Sequence, residues 1–176
     1  MVNRTDDVRI KIQKSYSPEN ENIVYFSPYP ADGCYASVCI KPSGFLSEDF
    51  KGSHPGIDFI EIYDIWVEPH LRNMGVGSAL IKSIVKEFGD RNVILTAAGA
   101  SRKEYPVEPL DEKLIEITEG LRPFYEKNNF VDVNDYYAGY EHKRAYMYKN
   151  PIGLECLEKR KKDIEEFENS KKNKTL

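Results

Sequence analysis

The chain has 176 residues, 40% of them hydrophobic and 31% charged, with a formal net charge of −4. That is enough apolar material for one domain with its own core, and no run reaches the ~18–20 apolar residues of a membrane span. An acidic balance disfavours a nucleic-acid surface and is compatible with a cationic amine partner, and the opening MVNRTDDVRIKIQ has no apolar signal core, so a cytoplasmic location is expected.

Val8 to Lys14 alternates, with Val8, Ile10 and Ile12 on one face, and predicts a half-buried strand. Ser17-Pro18-Glu19-Asn20 is turn material. Ile23 to Phe26 predicts a short strand ended by Ser27-Pro28-Tyr29-Pro30. Asp32-Gly33 is a turn signal, and Cys34 to Ile40 is another strand. Pro42 to Gly56 reads as a polar loop. Nothing between residues 15 and 33 has a helical period. The cysteines (Cys34, Cys39, Cys156) are odd in number and lack ligand spacing, so reduced thiols and no metal are expected.

Phe59 to Val67 is dense in β-branched and aromatic residues and predicts a buried strand, which Pro69 ends. Arg72-Asn73-Met74-Gly75-Val76-Gly77 follows. Val76, Leu80, Ile84 and Phe88 then fall four apart, with Ile81 and Val85 beside them, and predict one apolar helical stripe. The first amides of such a helix lack intrahelical partners and carry the positive end of its dipole. Gly75 and Gly77 lack Cβ atoms, so an anion can approach the amides of Met74 through Ala79, and Arg72 adds a positive charge. The turn therefore reads as a phosphate cradle. It is neither of the commoner nucleotide loops: Leu80 stands where a dinucleotide fingerprint needs a third glycine, and no lysine follows Gly77.

Val93 to Ala98 is a continuous apolar run, as in an interior parallel strand, and completes a βαβ unit. Gly99 to Pro109 is a polar loop. Leu110 to Glu119 is helix-capable, and Pro123 falls in the first turn of the next helical segment or kinks a continuous one. Phe130 to Val133 and Arg144 to Lys149 predict two final antiparallel strands. Asn134 to Lys143 between them holds Tyr136, Tyr137, Tyr140 and His142 and reads as a tyrosine-rich surface loop. From Leu154 the chain reads as a charged helix whose Leu154, Leu157, Ile164 and Phe167 could dock on the domain or on a second copy in a homodimer. The division expected is a domain over 1–150 and a helical tail over 151–176.

Arg72-x-x-Gly75-x-Gly77, placed between a strand and an amphipathic helix, resembles motif A of the GNAT superfamily of N-acetyltransferases. Pro123-Phe124-Tyr125-Glu126-Lys127-Asn128-Asn129-Phe130 is similar to the family's motif B. The resemblance implies an α/β, GNAT-like (acyl-CoA N-acyltransferase) fold, with a mixed central sheet, splayed parallel strands and flanking helices. It implies acetyl-CoA as co-substrate, its pyrophosphate on the turn and its pantetheine arm between the splayed strands. The coenzyme contacts carried over are Ile65, Trp66 and Val67 on the strand, Arg72, Asn73, Met74, Gly75, Val76, Gly77, Ser78 and Ala79 on the turn and helix, and Tyr125. The activity implied is direct acetyl transfer, in a ternary complex, to a primary amine of a small molecule or a protein, and the family's last hairpin, here the loop Asn134 to Lys143, would border that acceptor.

An ammonium must lose a proton before it attacks. Glu61 is the first candidate base, because the family's histone acetyltransferases carry a glutamate at the matching place on this strand. Asp64 is the second, and a water chain stays open. Simple alternation puts Glu61, Tyr63, Ile65 and Val67 on one face, Asp64 and Trp66 on the other. Tyr125 is the candidate acid for the departing sulfur. The chain departs from the family in three places. No helices stand between its first strands, Thr118 replaces an asparagine, and Asn129 replaces a glycine. The alternative reading is a non-catalytic acetyl-CoA-binding module that acts through a protein partner.

Overall fold

A computed structural model of the chain describes residues 10–29, 33–42, 46, 50, 56–98, 112–137 and 143–173. Val8, Asp32, the Gly99–Pro109 loop, Leu110, Tyr140, His142 and most of the Pro42–Gly56 loop lie outside the described residues. Seven strands form one sheet: β1 (Lys11–Tyr16), β2 (Ile23–Tyr29), β3 (Tyr35–Lys41), β4 (Phe59–Trp66), β5 (Asn92–Ala98), β6 (Phe130–Asp132) and β7 (Lys143–Tyr148), in the order β1-β2-β3-β4-β5-β7-β6. β4 and β5 run parallel; every other neighbouring pair is antiparallel.

Each face of the sheet buries its own set of side chains. Ile60, Ile62, Val38, Val24 and Leu95 meet α1 (Val76–Phe88) and Tyr125 of α3 (Arg122–Lys127) on one face. Phe59, Ile94 and Met147 meet Cys156 of α4 (Pro151–Asn173) on the other, with Phe50 and Tyr137. α1 buries Val76, Leu80, Ile81, Ile84 and Phe88, the stripe its spacing predicts. Each such side chain contributes roughly 1.5–3 kcal/mol when removed from water. α2 (Glu112–Gly120) leads into α3, and the Leu121 amide bonds the Thr118 carbonyl between them. Pro123 sits in the first turn of α3, where its missing N–H has no helical partner to lose.

The first strands depart from expectation in a way that matters for the site. β2 runs on to Tyr29 and includes Pro28. β3 pairs with Ile23 to Phe26 only; beyond that β2 has β1 alone as neighbour, opposite Lys11 and Ile12. A proline with no donor is tolerated on such a one-sided stretch. β1 passes directly to β2 through residues 17–22, closed by the Ser17 amide on the Ile23 carbonyl at 2.9 Å, so the two strands have no helix between them.

α4 begins at an asparagine clamp. The Asn150 side-chain amide donates to the carbonyls of Gly89 (2.6 Å) and Arg91 (2.8 Å), while its oxygen accepts from the Gly153 amide at 2.6 Å. Asn150 thus caps α4 and ties it to the turn between α1 and β5. A Cβ on Gly153 would lie 2.6 Å from the Tyr148 carbonyl, so only glycine lets α4 approach the end of β7 this closely. The docking face of α4 is Gly153, Cys156, Leu157, Arg160 and Ile164, so Leu157 and Ile164 of the expected stripe face the sheet while Leu154 and Phe167 do not. Leu154 is 41% and Phe167 59% exposed. The tyrosines before β7 serve this contact: Arg160 donates to the Tyr136 carbonyl, and the Tyr137 ring packs on Phe50 with its hydroxyl 3.4 Å from the Cys156 sulfur.

Asn150→Ala removes the cap and strands two part-buried carbonyls, and is expected to destabilise the fold by about 2–3 kcal/mol. Urea unfolding checks this; Asn150→Asp, which keeps the cap oxygen but loses both donors, should fall between the two.

Candidate functional site

The β4–β5 ladder begins at Phe59 opposite Asn92 and ends at Ile62 opposite Leu95. Beyond that point the strands part. β4 continues with β3 to Trp66, and β5 continues with β7 to Ala98. Tyr63 is an extra residue on β4, since Val38 pairs with Ile62 and Ser37 with Asp64. Such a bulge bends its strand and increases the local twist. The mouth of the opening thus lies between Tyr63–Trp66 and Thr96–Ala98.

The bulge also corrects the expected facing. Ile65 and Val67 pack with Ile60 and Ile62 on the α1 face. Asp64 and Trp66, opposite Ser37 and Tyr35, take the face of Glu61, which lies opposite Cys39 and Ile94. The sequence carried no sign of this shift, because a bulge is set by the partner strand.

The turn above the opening is exposed at Arg72, Asn73, Met74 and Gly75. Asn73 and Gly75 have positive φ values of 63° and 84°, a backbone that asparagine tolerates and glycine adopts freely. Gly75 is the N-cap of α1, with no side-chain cap and no acidic residue in the first turn. The Ala79 amide is already bonded to the Gly75 carbonyl at 2.9 Å. The amides open to an anion are therefore those of Gly75, Val76, Gly77 and Ser78, and Ala79 can contribute surface only. Arg72 is anchored rather than free: its Nε donates to the Val67 carbonyl at 3.0 Å and its guanidinium lies 5.3 Å from the Trp66 ring centre. That contact fixes the turn to the end of β4.

Gly77 has a packing role as well. A Cβ there would lie 3.1 Å from the Phe124 ring, so the first turn of α1 rests against α3. Asn128 reinforces the contact, bonding the Phe124 carbonyl at 2.8 Å and the Ser78 hydroxyl at 3.3 Å. Asn129 takes φ 66° just after α3, so the left-handed position that the family fills with glycine is kept by asparagine.

The three expected catalytic side chains are placed differently. Glu61 is 2% exposed and lies within the closed part of the ladder. The Lys41 ammonium is 3.3 Å from its Oε2, a distance that pairs the charges without an aligned hydrogen bond. Asp64 lies past the end of the ladder, at the opening, and accepts the Tyr35 hydroxyl at 2.8 Å. Burial first, then Asp64, push the Tyr35 phenol up to about 12, so it remains a donor. Sequence reasoning missed Tyr35; its partner across β3 and β4 became visible only with the register. Tyr125 is 7% exposed, with the Tyr146 ring 4.8 Å away. Burial raises its phenol first, and the charges of Tyr146 and Asp64 raise it further. Thr118, in place of the family's asparagine, is 2% exposed.

Raised phenols hold protons that the unfolded chain releases near pH ~10, so Tyr35 and Tyr125 add stability below that pH and lose it as pH rises through their folded values. For Tyr35 the window runs from about 10 to about 12. A phenolate absorbance titration is expected to find Tyr125 un-ionised until the fold opens, with Tyr125→Phe deleting only that late component. Loss of an early component instead would contradict the burial.

A model described as the acetyltransferase (GNAT) family matches residues 9–104, more than half of the chain. No curated protein matches it. Among solved structures, the chain is similar to a candidate GNAT-family acetyltransferase of Desulfovibrio desulfuricans at 22% identity, over 72% of this chain and 68% of that one, with a TM-score of 0.41. It is similar to a Corynebacterium glutamicum structure named histone acetyltransferase HPA2 and related acetyltransferase, at 19% identity over 74% and 65% of the two chains and a TM-score of 0.45. For the PaiA N-acetyltransferase of Thermoplasma acidophilum, solved in complex with coenzyme A, the values are 15%, 75%, 64% and 0.46. The chain spans a little under two thirds of the length of the last two. The matched family segment holds the splayed strands, the turn and α1. The chain belongs to the GNAT family of acetyltransferases.

Proposed function

We propose that the chain transfers an acetyl group from acetyl-CoA directly to a primary amine. The observation that carries this reading is the coincidence of two openings: the β4–β5 ladder ends at Ile62 and Leu95, and the unpartnered amides of Gly75 to Ser78 stand at the same end of β4. The amides suit a pyrophosphate, and the parted strands leave unpaired backbone for an extended arm. Bound there, the co-substrate would supply a thioester with a good leaving group.

The chain's own residues divide the proton work. Asp64 takes one proton from the incoming ammonium. Tyr125 stays protonated because it is buried, gives its proton to the departing sulfur, and recovers the second proton lost by the amine. Glu61 is proposed as the partner of Lys41 rather than as the base, because it sits below the opening and its charge is already paired. Arg72 and Asn128 hold the cradle in place.

Calorimetric titration with acetyl-CoA tests the cradle. The wild type should bind, and Met74→Glu should bind about tenfold less tightly, since it sets a carboxylate beside the free amides. Met74 is 65% exposed, so this control leaves the packing alone; a glutamate at Gly77 would also press on Phe124. No binding by the wild type contradicts the reading. Tyr125→Phe and Asp64→Asn should each lower turnover about a hundredfold, with coenzyme affinity unchanged. Coenzyme binding without turnover on any amine would instead leave a binding module.

A further inference from the structure

At the end of the β4–β5 ladder remote from the opening, a cavity of about 350 Å³ lies between the sheet and the first turns of α4. Asn92, the first residue of β5, lines it. Along β5, Val93 and Leu95 face α1 and Ile94 faces α4. Asn92 therefore points toward α4, where it lies beside the Cys156 thiol. It is fully buried, yet among the described residues neither its amide nitrogen nor its amide oxygen has a hydrogen-bond partner. The Cys156 sulfur is bonded to the Tyr137 hydroxyl at 3.4 Å and stands near Asn92 without the alignment of a hydrogen bond. Burial raises that thiol, so the floor of the cavity is uncharged. An unmet buried amide is costly, and nearly all such groups have a partner. The cavity has room for far more than one water, whose share of the liquid is ~30 Å³.

The rim and walls narrow the occupant. Asp58, Asp90 and Glu155 line the cavity with one cation, Arg91, which is paired with Asp58 at 3.5 Å. Asp90 and Glu155 are exposed and have no cation as partner among the described residues. Such a rim repels a phosphate or a carboxylate and suits ammonium groups. Ile57 and Ile152 offer apolar wall to a short stem. Asn92 itself presents two donors and an acceptor. An ammonium would meet only its oxygen, whereas a carboxamide meets both atoms at once, as one amide pairs with another.

We propose that this cavity binds a small organic amide that carries amino groups. Its carboxamide pairs with Asn92, its stem lies on Ile57 and Ile152, and its ammonium groups meet Asp90 and Glu155. The site is independent of the acetyl-transfer reading, since the cradle and the parted strands lie at the other end of the ladder.

Calorimetric titration of the full chain, without coenzyme, compares lysinamide with cadaverine, the same diamine lacking the amide, and with hexanamide, the same chain lacking the amines. An amide-resolved NMR titration locates the bound molecule. Lysinamide should bind about tenfold more tightly than either control, with shifts at Asn92, Ile152 and Glu155. Glu155→Lys, at an exposed position, should weaken it about tenfold. Asn92→Leu should erase the advantage of lysinamide over cadaverine and raise the thermal midpoint of the free chain, because it deletes an unpaired buried amide. Cadaverine bound as tightly as lysinamide overturns the proposal, as do shifts centred on Asp64 or an unchanged affinity in Glu155→Lys. A lowered midpoint in Asn92→Leu also overturns it, by giving that side chain a structural partner. No binding of lysinamide overturns it and leaves Asn92 to water.

Discussion

The site depends on one interruption, the end of the β4–β5 ladder at Ile62 and Leu95. A parallel pair buried on both faces normally continues to the ends of its strands. Here each strand has a second partner that draws it aside. β3 holds β4 through the bulge at Tyr63, and β7 holds β5 as far as Ala98. The bulge leaves Tyr63 72% exposed and turns Asp64 toward the face of Glu61. One extra residue thus opens the sheet and chooses which carboxylate stands at the opening.

The surroundings keep that opening in register with the helix above it. Arg72 ties the turn to the Val67 carbonyl, Phe124 fills the space that a side chain at Gly77 would need, and Asn128 joins α3 to Ser78. These contacts join two segments distant in sequence, residues 67–78 and 124–128. The same economy appears on the opposite face, where Asn150 serves α4 and the turn at Gly89–Arg91 together. Burial then sets the chemistry. A phenol with little water around it keeps its proton, and on the proposed reading the buried Tyr125 is the donor while Asp64, at the opening, takes the ammonium proton.

Much of this was legible in the sequence, wherever one element settles the matter alone. The α1 stripe from Val76 to Phe88, the turn at Arg72–Gly77, the absence of helices between β1 and β2, and Pro123 at the start of α3 all follow from local period and turn chemistry. What escaped was set by neighbours. Strict alternation along β4 failed at Tyr63 because the register belongs to the β3–β4 pair. The length of β2 was misjudged because Pro28 is acceptable only where β3 is absent. The docking face of α4 was legible at Leu157 and Ile164 only, because a glycine and a cysteine, Gly153 and Cys156, fit closer to the sheet than the more hydrophobic Leu154 and Phe167.

On the proposed reading, the parted strands and the free amides of α1 form one coenzyme site. The most direct measurement is an amide-resolved NMR titration with coenzyme A. Shifts are expected at the amides of Gly75, Val76, Gly77 and Ser78 and along Tyr63 to Val67, with the closed ladder from Phe59 to Ile62 little changed. Shifts gathered elsewhere, or at the turn without the strand, would contradict it.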